Sequence, residues 1–128
     1  MNLHEYQAKF LFKDYGLPVS KSELIFQESD IDQAVSKLNV DSFVVKAQVH
    51  AGGRGKAGGI KIAKDPKEAF EFANQMLGSS LKTFQSGDTE FPINKVYIEK
   101  TSDIQSEYYL AVTMDSVSYT HLTLPTNS

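Results

Sequence analysis

Glycine is concentrated in one stretch of this chain. Five of the eight glycines lie between residues 52 and 59, in the string HAGGRGKAGG at 50–59. Because glycine lacks a Cβ, it accepts positive φ and lets the backbone approach a ligand closely. Residues 42–64 contain five Lys or Arg and no Asp or Glu, although acids outnumber bases 16 to 13 in the whole chain. Cations beside bare backbone N–H groups indicate an anion site, with phosphate as the expected ligand.

Composition narrows the class of protein. A chain of 128 residues, 41% hydrophobic and 23% charged, is typical of one globular domain. The net charge of −3 argues against general attraction to nucleic acid or to a membrane. Without cysteine there is no disulfide, cysteine zinc site or thiol nucleophile. The N-terminus lacks the basic and apolar regions of a signal peptide, and no stretch is apolar enough to span a bilayer. It also lacks an arginine-rich transit segment, so we expect a bacterial cytoplasmic protein, with the mitochondrial matrix as the alternative.

Hydrophobic periodicity predicts helices at three places. The first is expected to be capped by Asn2 in a capping box with Glu5, and the second by Ser29. The third should begin after Asp65, which precedes a proline, and end at Gly78.

Runs rich in β-branched residues predict the strands. The predicted strands are Val19–Phe26, Phe43–Val49, Ile60–Ala63, Lys95–Lys100 and Glu107–Met114. This order predicts an α/β (α+β) fold with helices packed on a mixed sheet and a glycine-rich β-hairpin flap.

The last 13 residues differ from the rest. Residues 116–128 contain no charged side chain, whereas all 29 charged residues fall in the first 115. The change begins within a predicted strand, and the tail resembles translated sequencing-adaptor read-through. We therefore expect a domain at 1–115 followed by a non-native tail at 116–128. The alternative is a genuine short polar terminus.

Two well-known glycine motifs do not fit the loop. Gly53-x-Gly55-x-x-Gly58 has the spacing of a dinucleotide-binding fingerprint, but a predicted strand follows it where that motif requires a helix. A Walker A loop requires Gly at residue 50 and Ser or Thr at residue 57, where this chain has His50 and Ala57. A glycine loop between adjacent strands instead predicts a flap over nucleotide phosphates, as in protein kinases.

Three charged side chains are candidates for this site, each with an alternative role. Lys46 projects from the strand that enters the loop, so its partner is either a phosphate or a nearby carboxylate. Arg54 offers a planar fork to phosphate oxygens, or is a solvated charge at a hairpin tip. Glu99 marks a hinge that grips adenine and ribose, or is an ordinary edge carboxylate. The histidines at 4, 50 and 121 show no metal spacing, so we assign no metal ligand and no catalytic residue.

Three blocks of sequence resemble one family. MNLHEYQAK at the start, VVKAQVHAGGRGKAGG at 44–59 and IEKTSDIQSEYYLAV at 98–112 are similar to the β subunit of succinate–CoA ligase. The resemblance implies the N-terminal lobe of an ATP-grasp fold. It also implies nucleotide contacts by matching position, which are Lys46, Gly53, Arg54, Gly55, Glu99, Ser102 and Glu107.

The resemblance implies a reaction as well. Such ligases convert succinate, CoA and ATP (or GTP) to succinyl-CoA, nucleoside diphosphate and phosphate in the tricarboxylic acid cycle. They use Mg²⁺ and a phosphohistidine on a partner α subunit. The magnesium ligands and the residues facing succinate should lie beyond this chain, so we expect these 128 residues alone to be inactive. Alternatives are a malate–CoA ligase β subunit, a stand-alone nucleotide-binding module and, least favoured by the charge, a nucleic-acid binder.

Overall fold

A computed structural model describes residues 2–114, 120–123 and 126–127, with side chains up to residue 113. Its helices are α1 Glu5–Asp14, α2 Ile31–Leu38 and α3 Pro66–Met76, and a 3-10 turn at Glu28–Asp30 precedes α2. Its strands are β1 Ser22–Ile25, β2 Phe43–Ala47, β3 Ile60–Ala63, β4 Ser80–Leu81, β5 Phe91–Pro92, β6 Val96–Lys100, β7 Glu107–Tyr108, β8 Ala111–Met114, β9 Thr120–Thr123 and β10 Thr126–Asn127. In this part of the chain, every helix is too short or too polar to cross a membrane.

Four strands form the central sheet, in the order β1-β6-β2-β3. All three neighbouring pairs are antiparallel, so the predicted mixed sheet is wrong in this respect, while the predicted α+β class is confirmed. The reason lies in β6. It inserts between β1 and β2, which run parallel to each other and would otherwise form a parallel pair through α2. The hairpin of β2 and β3 around the glycine loop is present as predicted.

One face of the sheet carries the apolar core. On β2 the alternating residues Phe43, Val45 and Ala47 are fully buried, with α3 packed against this strand and α2 packed against β1 and β6. Helix α2 turns an apolar stripe to the same core, and its buried residues are Ile31, Ala34, Val35 and Leu38. We call this side of the sheet, packed against α2 and α3, the core face. The core face forms because every second residue of a strand points to the same side of the sheet, and apolar residues at a period of 3.6 lie on one side of each helix.

Helix α3 begins as the sequence predicts. The Asp65 carboxylate accepts a hydrogen bond of 2.8 Å from the backbone N–H of Glu68, and Pro66 occupies the first helical position. Proline fits there because its missing N–H would have no partner within the helix. Gly78 follows the helix with φ of +80°.

The predicted caps of the other two helices are wrong. Helix α1 begins at Glu5 with His4 as its cap, and the backbone N–H of His4 donates to the Gln7 side chain at 2.8 Å. Asn2 lies outside the helix, since the capping box is formed by His4 and Gln7, and Glu5 is the first helical residue. Ser29 lies within the 3-10 turn, and α2 is capped by Asp30, so it starts one residue later than its predicted cap implies.

Several strand predictions hold in part. Strand β3 has its predicted bounds, whereas β1 and β2 are shorter than predicted. The predicted strand Glu107–Met114 is divided into β7 and β8, which pair with β10 and β9 of the tail. The short pair of β4 and β5 was not predicted. Of the predicted tail 116–128, residues 116–119, 124, 125 and 128 lie outside the described residues.

Candidate functional site

The second face of the sheet carries charge. Because residues directly opposite each other share a face, Lys46 lies beside Tyr97, and Val44 beside Glu99. We call this side, with Val44, Lys46, Ile60, Ile62, Tyr97 and Glu99, the charged face. Helix α1 reaches it through Glu5 and Lys9, and no residue of α1 is fully buried. The helix therefore covers the charged face only in part.

Five side chains form a charged cluster on this face: Glu5, Lys9, Lys46, Arg54 and Glu99. Lys46 Nζ donates to Glu5 Oε2 at 2.9 Å and to Glu99 Oε1 at 2.5 Å. Lys9 Nζ lies 2.6 Å from the same Glu99 oxygen and 3.4 Å from Glu5 Oε2. Arg54 donates to Glu5 Oε1 at 2.6 Å. The cluster thus joins α1, β2, β6 and the glycine loop.

Burial makes these contacts strong. Only 5% of the Glu99 side chain and about a fifth of the Glu5, Lys46 and Arg54 side chains are exposed. Burial alone would raise the pKa of Glu5, but hydrogen bonds and charge from Lys46 and Arg54 outweigh it and hold that pKa at about 2. Burial would lower the pKa of Lys46, but Glu99 and Glu5 raise it. Glu5 and Lys46 therefore both carry charge at neutral pH.

Arg54 is folded inward against the sheet. Besides Glu5 it donates to the backbone carbonyl of Ala47 at 2.8 Å, and its side chain is 19% exposed. Of the two alternatives for Lys46, the described contacts correspond to the carboxylate partner. Neither cation is a freely solvated charge. Their contact with phosphate stays a prediction.

The glycine loop is compact and folded against a neighbouring segment. The Gly59 N–H donates to the Arg54 carbonyl at 2.7 Å, closing the loop around that arginine. Gly53 has φ of +77°, and a Cβ added there would lie 2.5 Å from the Phe84 ring. Lys56 lies over the same ring, 5.6 Å from its centroid. Gly53 therefore serves both a left-handed turn and a close packing contact.

A second contact joins α1 to the loop. The rings of His4 and His50 stack with centroids 3.8 Å apart. Burial lowers the pKa of His4, and the nearby charges of His50, Lys95 and Arg54 lower it further. The Nδ1 atom of His4 is buried without a hydrogen-bond partner. A neutral His4 therefore fits this position better than a protonated one.

The structure gathers some of the predicted contact residues and separates others. Lys46, Arg54 and Glu99 meet in the charged cluster, and Gly53 and Gly55 flank Arg54. Ser102 is exposed and lines an open cavity of about 730 Å³ at the sheet edge, whose lining is Ser20, Lys21, Lys100, Thr101, Ser102 and Asp103. Glu107 is exposed on β7. Within the described residues, no hydrogen bond or ion pair links Ser102 or Glu107 to the cluster.

Sequence reasoning missed two members of the cluster, Glu5 and Lys9. Glu5 was assigned to a capping box, and Lys9 was given no role in the fold. Their spacing of four residues does predict a helical ion pair, and they lie 3.4 Å apart. That signal indicates a pair but not its partners, because Lys46 is 41 residues further along the chain than Glu5.

The described residues do not fit a magnesium site. They contain no group of three or more His, Cys, Asp or Glu side chains placed to hold a metal ion. The two carboxylates nearest the loop, Glu5 and Glu99, are occupied by lysine and arginine. A nucleotide fits better, because cations and backbone N–H groups are the donors that phosphate requires.

Comparisons with known proteins identify the fold and several similar proteins. The sequence model of the ATP-grasp domain matches residues 2–126. The succinate–CoA ligase [ADP-forming] subunit β of Hydrogenovibrio crunogenus is 50% identical over 121 residues, which are 94% of this chain and 31% of that protein. The subunit of the same name from Haemophilus influenzae is 48% identical over 118 residues, covering 92% of this chain and 30% of that protein. The resemblance seen in the sequence is confirmed, and the chain spans about a third of these relatives' length.

Solved structures share the fold at low identity. The ADP complex of N5-carboxyaminoimidazole ribonucleotide synthetase aligns with a TM-score of 0.65 and 17% identity, covering 98% of this chain and 28% of that one. The dinucleotide-forming acetyl-coenzyme A synthetase 1 of Candidatus Korarchaeum cryptofilum, in complex with coenzyme A, Ca-AMPCP and HgCl⁺, aligns with a TM-score of 0.67 and 14% identity. That alignment covers 98% of this chain and 54% of the other.

Proposed function

This chain belongs to the ATP-grasp family, and we propose that its charged face and glycine loop bind the phosphates of ATP. One observation carries the proposal: Lys46 on β2 and Arg54 in the loop are held by a single carboxylate, Glu5, at 2.9 and 2.6 Å. Two cations that share one anion are close enough to share a phosphate. A Cβ added at Gly55 would meet only the tip of Ile60 at 3.9 Å, so Gly55 leaves the backbone beside Arg54 open to close approach, and Gly53 is included by family resemblance.

The remaining implied contacts belong to the same proposal. Glu99 would lie near the base and ribose, and Ser102 and Glu107 would complete the nucleotide site. The proximity of Glu99 to Lys46 supports its inclusion, whereas Ser102 and Glu107 rest on family resemblance. Mg²⁺ would accompany the nucleotide, with ligands beyond the residues described here.

We infer that the whole protein is the β subunit of an ADP-forming succinate–CoA ligase. It would act with an α subunit to make succinyl-CoA from succinate and CoA in the bacterial cytoplasm. Identities of 48–50% to subunits of that name support this proposal, and the names of these relatives favour ATP over GTP and succinate over malate. These 128 residues alone should make no succinyl-CoA with an added α subunit, which a thioester assay would check.

The domain boundary is a separate proposal. We place a partial ATP-grasp domain at 1–115 and a non-native tail at 116–128, on the loss of charged residues after position 115. The family match extends past this boundary, to residue 126. Sequencing the source DNA through the Asp115 codon tests the boundary. A frame that continues into further ATP-grasp sequence supports it, and a frame that ends in SYTHLTLPTNS contradicts it.

Nucleotide binding is tested by calorimetric titration of this chain with ATP. The Lys46→Met variant should weaken binding, because it removes a cation from the charged face. Lys61→Met is the matched control, since Lys61 lies on the core-face side of β3, beside Phe72. Equal affinity for the two variants, or binding of an oligonucleotide with steep salt dependence in place of ATP, would contradict the proposal.

A further inference from the structure

Glu5 connects three segments that are distant in the sequence. The residue lies in the first turn of α1, whereas its partners Lys46 and Arg54 are 41 and 49 residues further along the chain. Each oxygen of its carboxylate faces a different cation, Oε2 toward Lys46 and Oε1 toward Arg54. Glu99 also holds Lys46 and the Ala47 carbonyl also holds Arg54, but Glu5 is the side chain that contacts both cations.

Both cations keep donors for a further ligand. A lysine ammonium has three N–H donors, and Lys46 directs two of them to Glu5 and Glu99. An arginine has five, and the described hydrogen bonds of Arg54 go to Glu5 and the Ala47 carbonyl. Side-chain exposures of 18% and 19% leave part of each group accessible. Binding to Glu5 is therefore compatible with simultaneous binding of an anion.

We propose that Glu5 is a positioning residue that presents Lys46 and Arg54 to the nucleotide phosphates as one preorganised pair. The inference rests on the proposed function above and assigns a role to a residue outside the glycine loop. Without the Glu5 charge, two long side chains of like charge would repel each other and regain rotamer freedom. ATP would then have to order both of them, which lowers affinity.

A competing role would give the opposite result. If Glu5 blocked the site until ATP displaced it, removing its charge would strengthen binding. The surroundings of Glu5 favour positioning, because the carboxylate is also held from other sides. Gln48 Nε2 donates to Glu5 Oε1 at 3.3 Å, and Gln48 is in turn fixed by the Tyr6 N–H at 3.1 Å. Lys9 approaches Oε2 at 3.4 Å.

The first test compares ATP affinity by calorimetry in variants of this chain. Glu5→Gln keeps the size of the side chain but removes its charge, and we expect a loss of about tenfold in affinity. Glu5→Asp keeps the charge on a shorter stem, so its loss should be intermediate. Glu23→Gln is the matched control, since Glu23 pairs with Lys37 at 3.3 Å on the core-face side. That control should bind ATP as the parent chain does.

A double-mutant cycle separates positioning from a general structural effect. In an Arg54→Met background, Glu5→Gln should reduce the ATP affinity by a smaller factor than it does in the parent chain, because part of its effect passes through Arg54. A merely structural role for Glu5 would give the same factor in both backgrounds. Equal factors, an unchanged affinity or a tighter affinity in Glu5→Gln would each overturn the inference.

A second measurement needs no nucleotide. Amide hydrogen exchange at residues 52–59 should be faster in Glu5→Gln than in the parent chain or in Glu23→Gln, because the loop loses its tie to α1. Equal exchange rates would overturn the inference, whether or not the parent chain binds ATP. Failure of the parent chain to bind ATP would instead refute the proposed function. If Glu5→Gln does not fold, Glu5→Asp decides both measurements by its intermediate effect.

Discussion

The two faces of the central sheet are built from alternate residues of the same strands, yet they serve different purposes. On β2, Phe43 and Val45 are fully buried under helices. Lys46, the next residue toward the glycine loop, lies on the opposite face in a network of ion pairs. On β3, Ile62 is 66% exposed although its neighbour Ala63 is fully buried. The core face thus supplies stability, and the charged face keeps its polar and apolar groups available to a ligand.

The largest expected effect comes from truncating the core face. Phe43→Ala should reduce the free energy of unfolding by about 3–5 kcal/mol, since it removes a fully buried aromatic ring. Ile62→Ala on the charged face should change it by about 0.5 kcal/mol or less. Urea unfolding of both variants checks the difference. Similar losses would show that the two faces do not differ in this way.

The next effect concerns acid stability. Because the pKa of Glu5 is about 2 in the folded chain and about 4.5 when unfolded, its stabilisation is present above pH 4.5 and is lost as the pH falls toward 2. The loss should amount to a few kcal/mol. Between pH 5 and pH 3, the free energy of unfolding should fall more in the parent chain than in Glu5→Gln. The difference in stability between the two proteins should therefore be smaller at pH 3 than at pH 5. Equal changes with pH in Glu5→Gln and in the parent chain would disprove the assignment to Glu5.

A smaller effect is expected in the glycine loop. Gly53→Ala should destabilise the chain by about 1–2 kcal/mol, because the new Cβ meets the Phe84 ring and the residue must keep a positive φ. Gly55→Ala is the matched control, since a Cβ there meets only the tip of Ile60 at 3.9 Å. Thermal unfolding of the two variants measures the difference. An equal shift would indicate that the contact with Phe84 does not restrain the loop.

Local signals in the sequence predicted much of the fold, whereas contacts distant in the chain were missed. The start of α3 follows from Asp65 and Pro66, and the β2–β3 hairpin follows from two strands around a glycine-rich loop. The insertion of β6 between β1 and β2 could not be predicted, because β2 and β6 pair residues 49 to 57 positions apart. For the same reason the sequence indicated Lys46 and Arg54 as candidates but not the carboxylate that joins them.

The central claim is that a nucleotide binds on the charged face and leaves the core face undisturbed. Methyl NMR of this chain during an ATP titration tests it directly, because isoleucines occur on both faces. We predict that the signals of Ile60 and Ile62 shift, while those of the buried Ile25 and Ile98 stay within the noise. Shifts confined to Ile25 and Ile98, or no shift at any ATP concentration, would contradict the account.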